Sequence, residues 1–286
     1  MTLIDKKRIL IIENTPEIEE AINNLNEENI KIERYPNLDE KWIEEFKLDK
    51  ISEHPLIKKY NIQIDKNNVL LKSFYAIYKN IYDGIVIGHI YTSKIVFIYS
   101  IIFFGQNILS TSFICEKNKN ISIWTDCALN INPNYEQFYK IILNACELYY
   151  NNVKNIKTIN VHLLSFSTME DSNDESIKIY NKLINETNWD HLKYKINLIG
   201  PIQYDASINK DIYFKKTNFK RYFPPHIFVF PNLNAGNIAY KVESQYSKFY
   251  GPFICGVDKK IADLSRSATV DEIIKTIKYL CDIKKD

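Results

Sequence analysis

Between residues 232 and 237, Asn232, Asn234, Gly236 and Asn237 crowd three side-chain amides and one unencumbered backbone position into six residues. They follow Ile227–Phe230, a short apolar run of the kind a buried parallel strand shows. Pro231 ends that run, because a proline cannot donate to a sheet ladder. A helical pattern starts immediately afterwards. A strand, a polar turn and a helix start together present unpaired N–H groups and the positive end of a helix dipole, which is the chemistry of anion binding. The same residues also describe an ordinary strand-to-helix turn whose amides serve their own backbone.

The elements that would position this turn alternate along the chain. Residues 8–12 (RILII) read as a buried strand, followed by an amphipathic helix from Pro16 to Asn24 with proline at an early position. Residues 31–63 are polar and poorly periodic, and no element is placed there. A helix is expected over 69–82, a strand over 85–87 ending at Gly88, and a helix over 93–104. Strands at 112–115 and 121–125 flank the turn 117–120 as a hairpin. A helix over 135–150, a strand over 157–166 and a helix over 176–187 follow. The strand at 227–230 leads into a helix over 235–246, then a strand about Phe253 and a last helix over 270–281. Strands alternating with helices predict an α/β architecture centred on parallel strands.

Composition narrows the partners. The 286 residues carry 37 basic and 35 acidic side chains, a net charge of +2, which offers no electrostatic case for nucleic acid or a membrane surface. The five cysteines are scattered without a Cys-x-x-Cys pair, and the five histidines are isolated, so neither a zinc site nor a disulfide framework is expected. No signal-peptide h-region opens the chain, and the apolar run 96–104 is too short to cross a bilayer, so a cytoplasmic location is expected. Seven glycines is few for this length. Gly84, Gly88, Gly105, Gly200, Gly236, Gly251 and Gly256 are what remains, and a chain depleted of glycine retains it where a side chain cannot fit.

Most of those glycines fall in ordered blocks. Residues 231–241 (PNLNAGNIAYK) are followed by Gly251-Pro252 and by residues 256–266 (GVDKKIADLSR). Upstream stand Asp83-Gly84, Gly88 with Thr92, residues 126–130 (DCALN), 164–168 (LSFST) and 200–206 (GPIQYDA). In this order and spacing the blocks resemble the phosphate acetyltransferase/phosphate butyryltransferase family from about Asp83 onward. The Asp263-Leu-Ser-Arg266 run is more similar to the acetyl enzymes.

The resemblance implies two α/β domains with mainly parallel sheets and an active-site cleft between them. The first would be discontinuous, residues 1–110 with 257–286; the second, residues 111–256, would carry the dimer contact and the acyl-phosphate side of the cleft. It implies reversible acetyl transfer between coenzyme A and phosphate by a homodimer, with acetyl-CoA and acetyl phosphate as substrates and no separate cofactor or metal. Ser265 would donate to the tetrahedral oxyanion and Arg266 would grip phosphate. The family's base falls on Glu272, which also completes a Thr269-Val-Asp-Glu272 capping box, and both readings stand. Thr92, Ser165, Ser167, Thr168, Asn232, Asn234, Gly236 and Asn237 would bind substrate. Two family arginines fall on Phe97 and near Ile57, a loss worth about 1.5–3 kcal/mol of binding for each contact. That loss keeps open an alternative, a non-catalytic acetyl-CoA-sensing regulatory domain.

Overall fold

The computed structural model describes residues 6–105 and 107–282, and within it the chain divides into two compact units. Of the stretch assigned to the first domain from sequence, residues 1–5, 106 and 283–286 lie outside the described residues. Unit 1 holds the chain up to residue 109 and resumes at 257; unit 2 is 110–256.

Unit 1 begins with β1 (Lys7–Leu10), α1 (Pro16–Asn24) and β2 (Ile30–Glu33). It continues through α2 (Trp42–Leu48), a single 3₁₀ turn at Lys50–Glu53, α3 (Pro55–Lys59), α4 (Val69–Tyr78), β3 (Gly84–Ile87) and α5 (Ser93–Phe104). Local chemistry sets the starts. Thr15 caps α1 with Pro16 in its first turn, Asn68 caps α4 and Thr92 caps α5, each side-chain oxygen accepting an orphan N–H. The stretch 31–63, unplaced from sequence, is ordered by aromatic packing rather than by periodicity. Trp42 and Phe46 are buried against Tyr75, and Phe46 also meets Phe103. Phe103 is the hub of that layer, with ring contacts to Phe46, Phe74, Tyr75, Tyr78, Tyr99 and Phe104.

Unit 2 runs β4 (Ser110–Lys117), β5 (Asn120–Thr125), α6 (Tyr135–Asn152), β6 (Thr158–Leu164), α7 (Glu175–Glu186), β7 (Lys195–Ile202), α8 (Tyr204–Ile208), α9 (Lys210–Lys216), β8 (Ile227–Val229), α10 (Leu233–Glu243) and β9 (Lys248–Cys255). Its strand order is β9-β4-β5-β8-β6-β7. The pairs β5/β8, β8/β6 and β6/β7 are parallel, whereas β4 is antiparallel to both β5 and β9. The expected hairpin is β4–β5, turning on Asn118 and Lys119 with φ of 51° and 67°, the left-handed pair that a tight two-residue turn needs. No element was expected between 187 and 227, where β7, α8 and α9 lie. Polar Lys195 and Asn197 and the Gly200-Pro201 pair mask the strand signal of β7, and its place at the end of the order tolerates a proline.

The chain returns to unit 1 as β10 (Lys260–Asp263) and α11 (Val270–Leu280). The order β2-β1-β3-β10 is parallel throughout, and α11 packs on α1. β10 was not expected from sequence, because its four residues begin and end in charged side chains and hold only Ile261 and Ala262 as an apolar run.

Phe103 is 1% exposed and lies on α5, the helix that carries Thr92 at its start. Truncation to alanine is expected to cost about 3–5 kcal/mol of unfolding free energy in urea melts, and Phe103→Leu distinctly less. Equal losses for the two would show that the aromatic layer does not organise the unit.

Candidate functional site

In unit 1 the expected site residues sit at the carboxyl ends of β3 and β10, neighbouring parallel strands, where open α/β sheets present ligands. β3 runs into Gly88, at φ 115°, and the loop reaches Thr92, whose hydroxyl accepts the Ile95 N–H at 3.4 Å. The loop between them is held from below. Glu13, just past β1 and 2% exposed, accepts the backbone N–H groups of His89, Ile90 and Tyr91 at 2.8–2.9 Å. Arg34 fixes the segment bearing Glu13 by donating to the carbonyls of Ile11 and Glu13 and to Glu19. His89 adds a contact from its Nδ1 to the Thr15 hydroxyl at 3.1 Å.

The end of β10 is clamped beside this loop by the Leu264 N–H, which donates to the Ile87 carbonyl at 2.6 Å. Ser265 and Arg266 follow, both exposed. The Ser265 hydroxyl meets that of Ser267 at 2.9 Å and accepts the Ser267 N–H at 3.3 Å. No acidic residue occupies the first turn of α5, so the dipole at that helix start is left uncompensated by its own sequence. Glu272 completes the capping box of α11. Its Oε2 accepts the Thr269 N–H at 2.8 Å and the Thr269 hydroxyl at 3.1 Å, and Thr269 Oγ1 in turn accepts the Glu272 N–H.

In unit 2 the expected residues follow β8 and β6, again adjacent parallel strands. The Asn232 side chain caps α10 by accepting the Ala235 N–H at 2.9 Å, and Asn237 donates to the Cys127 carbonyl at 2.9 Å. A Cβ on Gly236 would fall 2.5 Å from the Asp126 carbonyl oxygen, so only glycine lets α10 approach the loop after β5. Asn234 is exposed. Along the end of β6, the Ser165 N–H donates to the Ile202 carbonyl, the buried Ser167 hydroxyl has no partner among the described residues, and Thr168 exchanges hydrogen bonds with Gln203.

Two buried carboxylates shape these loops: Glu13, for which no role was expected, and Asp126, expected only as part of the block 126–130. The signal for Glu13 in the sequence is its place, an acidic residue closing an apolar strand. Asp126, 2% exposed, gathers the N–H groups of Ala128, Leu129 and Asn130, the Asn130 amide and the Thr111 hydroxyl. A Ser–His pair also lies in unit 2, but it is sealed. His162 is fully buried between the Ser207 hydroxyl (2.6 Å) and the Phe223 carbonyl (2.9 Å), and burial holds it neutral with a pKa of about 4. A groove of about 510 Å³ between the starts of α6 and α7 touches only one expected residue, Asn232. Among the described residues no helix is long and apolar enough to cross a membrane.

Glu13→Ala would strip three loop amides of their acceptor. The expected result is a stability loss of about 3 kcal/mol or more, with amide hydrogen exchange at 89–91 accelerated at least tenfold. Unchanged exchange at those three amides would mean that the carboxylate does not hold the loop.

Comparison with known proteins follows the same outline. The family described as phosphate acetyl/butaryl transferase matches residues 5–281. A phosphate acetyltransferase of Mycoplasma capricolum is 35% identical over 177 residues, covering 60% of this chain and 53% of that protein. One from Borreliella burgdorferi is 37% identical over 164 residues, covering 56% and 45%. The matched stretches thus span about half the length of these relatives or less. Among solved structures, the EutD phosphotransacetylase from Staphylococcus aureus superposes with a TM-score of 0.73 at 20% identity, covering 98% of this chain and 94% of its own. A phosphotransacetylase from Streptococcus pyogenes gives 0.72 at 21%, covering 97% and 94%. These two likenesses establish the fold, and the match to residues 5–281 establishes descent: the chain belongs to the phosphate acetyl/butaryl transferase family.

Proposed function

We propose that this protein is a phosphate acetyltransferase, converting acetyl-CoA and phosphate to acetyl phosphate and coenzyme A, and the reverse. The observation that carries the reading is the placement of Ser265 and Arg266, exposed at the end of β10 beside a helix start without acidic residues. Relatives named phosphate acetyltransferase support the acetyl group over longer chains, a choice that membership of the family alone does not make.

In the forward direction a phosphate oxygen attacks the thioester carbonyl. The tetrahedral oxyanion then collapses with cleavage of the C–S bond, and the thiolate leaves as coenzyme A. In reverse the thiol proton goes to a base, the thiolate attacks the carbonyl carbon of acetyl phosphate, and the C–O bond breaks to release phosphate. Ser265 is assigned to the oxyanion and Arg266 to phosphate, where a planar guanidinium matches two oxygens at once. Glu272 is assigned as the base. Both capping bonds are made by Oε2, which leaves Oε1 to take the proton. Thr92 in unit 1, and Ser165, Ser167, Thr168, Asn232, Asn234, Gly236 and Asn237 in unit 2, are assigned to substrate binding. Coenzyme A enters as substrate and no separate cofactor takes part.

Unit 1 and unit 2 correspond, in this reading, to the family's discontinuous and central domains. A homodimer is part of the proposal, supported by Ile238, Val242 and Tyr246, spaced four apart along and just past α10 and 59–79% exposed. A cytoplasmic location accords with five cysteines that are all free.

The test is thiol release from acetyl-CoA in the presence of phosphate, with acetyl phosphate measured directly. Arg266→Ala and Ser265→Ala are each expected to lower kcat on the order of 10²-fold, the usual cost of one transition-state donor. Glu272→Gln keeps the capping box and removes the base, so a comparable loss would assign the proton to Glu272, while full turnover would leave it a cap only. Acetyl-CoA binding without any turnover in the unaltered protein would overturn the transferase and select a sensing role.

A further inference from the structure

Behind the exposed Ser265–Arg266 pair stands a carboxyl group that the proposed chemistry does not use. Asp263 ends β10 and is 1% exposed. Its Oδ1 is buried and has no hydrogen-bond partner among the described residues. The Ser93 side chain, at the first residue of α5, lies close enough to that carboxyl group to favour its charged form. Space for that group exists only because residue 88 is glycine: a Cβ there would lie 2.2 Å from Oδ1. Asp263 therefore bridges three things, namely the start of α5, the loop after β3 and the strand end from which Ser265 and Arg266 project.

We propose that Asp263 is a positioning residue: it pins the start of α5 to the end of β10, and its buried, unpartnered Oδ1 makes that pin depend on a proton. The reasoning is electrostatic. An ionised carboxyl group here would place a charge on an oxygen with no donor, next to the second buried carboxyl group of the unit. Burial, with the Glu13 charge adding to it, pushes Asp263 up to about 7, while Ser93 and Arg266 pull it back. The surrounding groups are few. The β1–α1 connection presents Glu13, the segment after β10 presents Arg266, and α5 presents Ser93. Of the other titratable and charged groups of the β3–α5 region, His89 meets Thr15, Lys94 lies over the Tyr60 ring, and the Tyr91 phenol is raised by burial and by the Glu13 charge. With a proton the carboxyl group is neutral and the pin holds. Without it the pin is strained, and the Ser265–Arg266 segment loses its fixed relation to α5.

The sign follows from linkage. An acid whose folded-state pKa is raised is bound to its proton in the fold while the unfolded chain has released it. Its contribution to stability is therefore greatest at low pH and is lost as pH rises from about 4 to about 7.

The role in catalysis rests on the transferase reading, so the decisive experiment has one arm without turnover. In the full-length protein, the melting temperature is measured from pH 5 to 8 for the parent and for Asp263→Asn, which keeps the shape and the Ser93 contact but cannot ionise. The parent's melting temperature is expected to fall relative to the variant's across that range and to level above pH 7. Parallel curves would overturn the proposal. In the turnover arm, parent activity is expected to fall about tenfold per pH unit above about 7. Asp263→Asn should flatten that limb and retain most of the activity that Asp263→Ala loses. An Asn variant with the parent's limb, or an Ala variant as active as the parent at pH 6, would overturn it too. If no form turns over, the transferase reading fails and the melting curves alone decide the role of Asp263.

Discussion

The geometry of unit 1 depends on one buried carboxylate. A parallel strand that feeds a helix must turn within a few residues, and the turn leaves amides with no intrahelical or ladder partner. Here three of them, at 89, 90 and 91, converge on Glu13. Such a nest of N–H groups is by itself an anion site, and in this chain the anion is built in. With those donors consumed, the loop is rigid before any ligand arrives. The ends of β3 and β10 can then hold a fixed register, through the Leu264 N–H to Ile87, and the start of α5 has a defined position relative to Ser265 and Arg266.

Unit 2 solves the same problem with Asp126. Three successive amides, one side-chain amide and one hydroxyl are drawn to a single carboxylate after β5. The carbonyls this loop presents are then used by α10, through the Asn237 amide to Cys127 and the close approach that Gly236 permits. Each unit thus stabilises the loops that follow its parallel strands by internal acid-to-amide bonds rather than by burying the loops. Surface segments can carry exposed functional groups only when their backbone polar groups are satisfied elsewhere.

Much of this was legible in the sequence where local chemistry decides structure. Helices capped by Thr15, Thr92, Asn134 and Thr269 start where their capping residues say. The retained glycines at 88 and 236 mark close approaches to Asp263 and Asp126. What escaped was decided at longer range. Residues 42–59 carry no clean period because Trp42 and Phe46 are placed by rings from α4 and α5, not by their own helix face. β7 hides behind polar positions that its place at the end of the strand order allows. The partners of Glu13 lie more than seventy residues away, so spacing alone gave it no role. Asp263 was read as part of a motif, and only burial distinguishes it from a solvated aspartate.

Glu272 shows why a motif and a cap need not compete. The capping box requires one carboxylate oxygen at the Thr269 donors, and a proton acceptor requires one oxygen turned elsewhere. The box fixes the side chain's rotamer at the first turn of α11, which is what a base needs if it is to meet a thiol in a fixed direction. The glutamate side chain is long enough to reach back to Thr269 through Oε2 while the second oxygen remains available. On this reading the cap is the means by which the base is aimed.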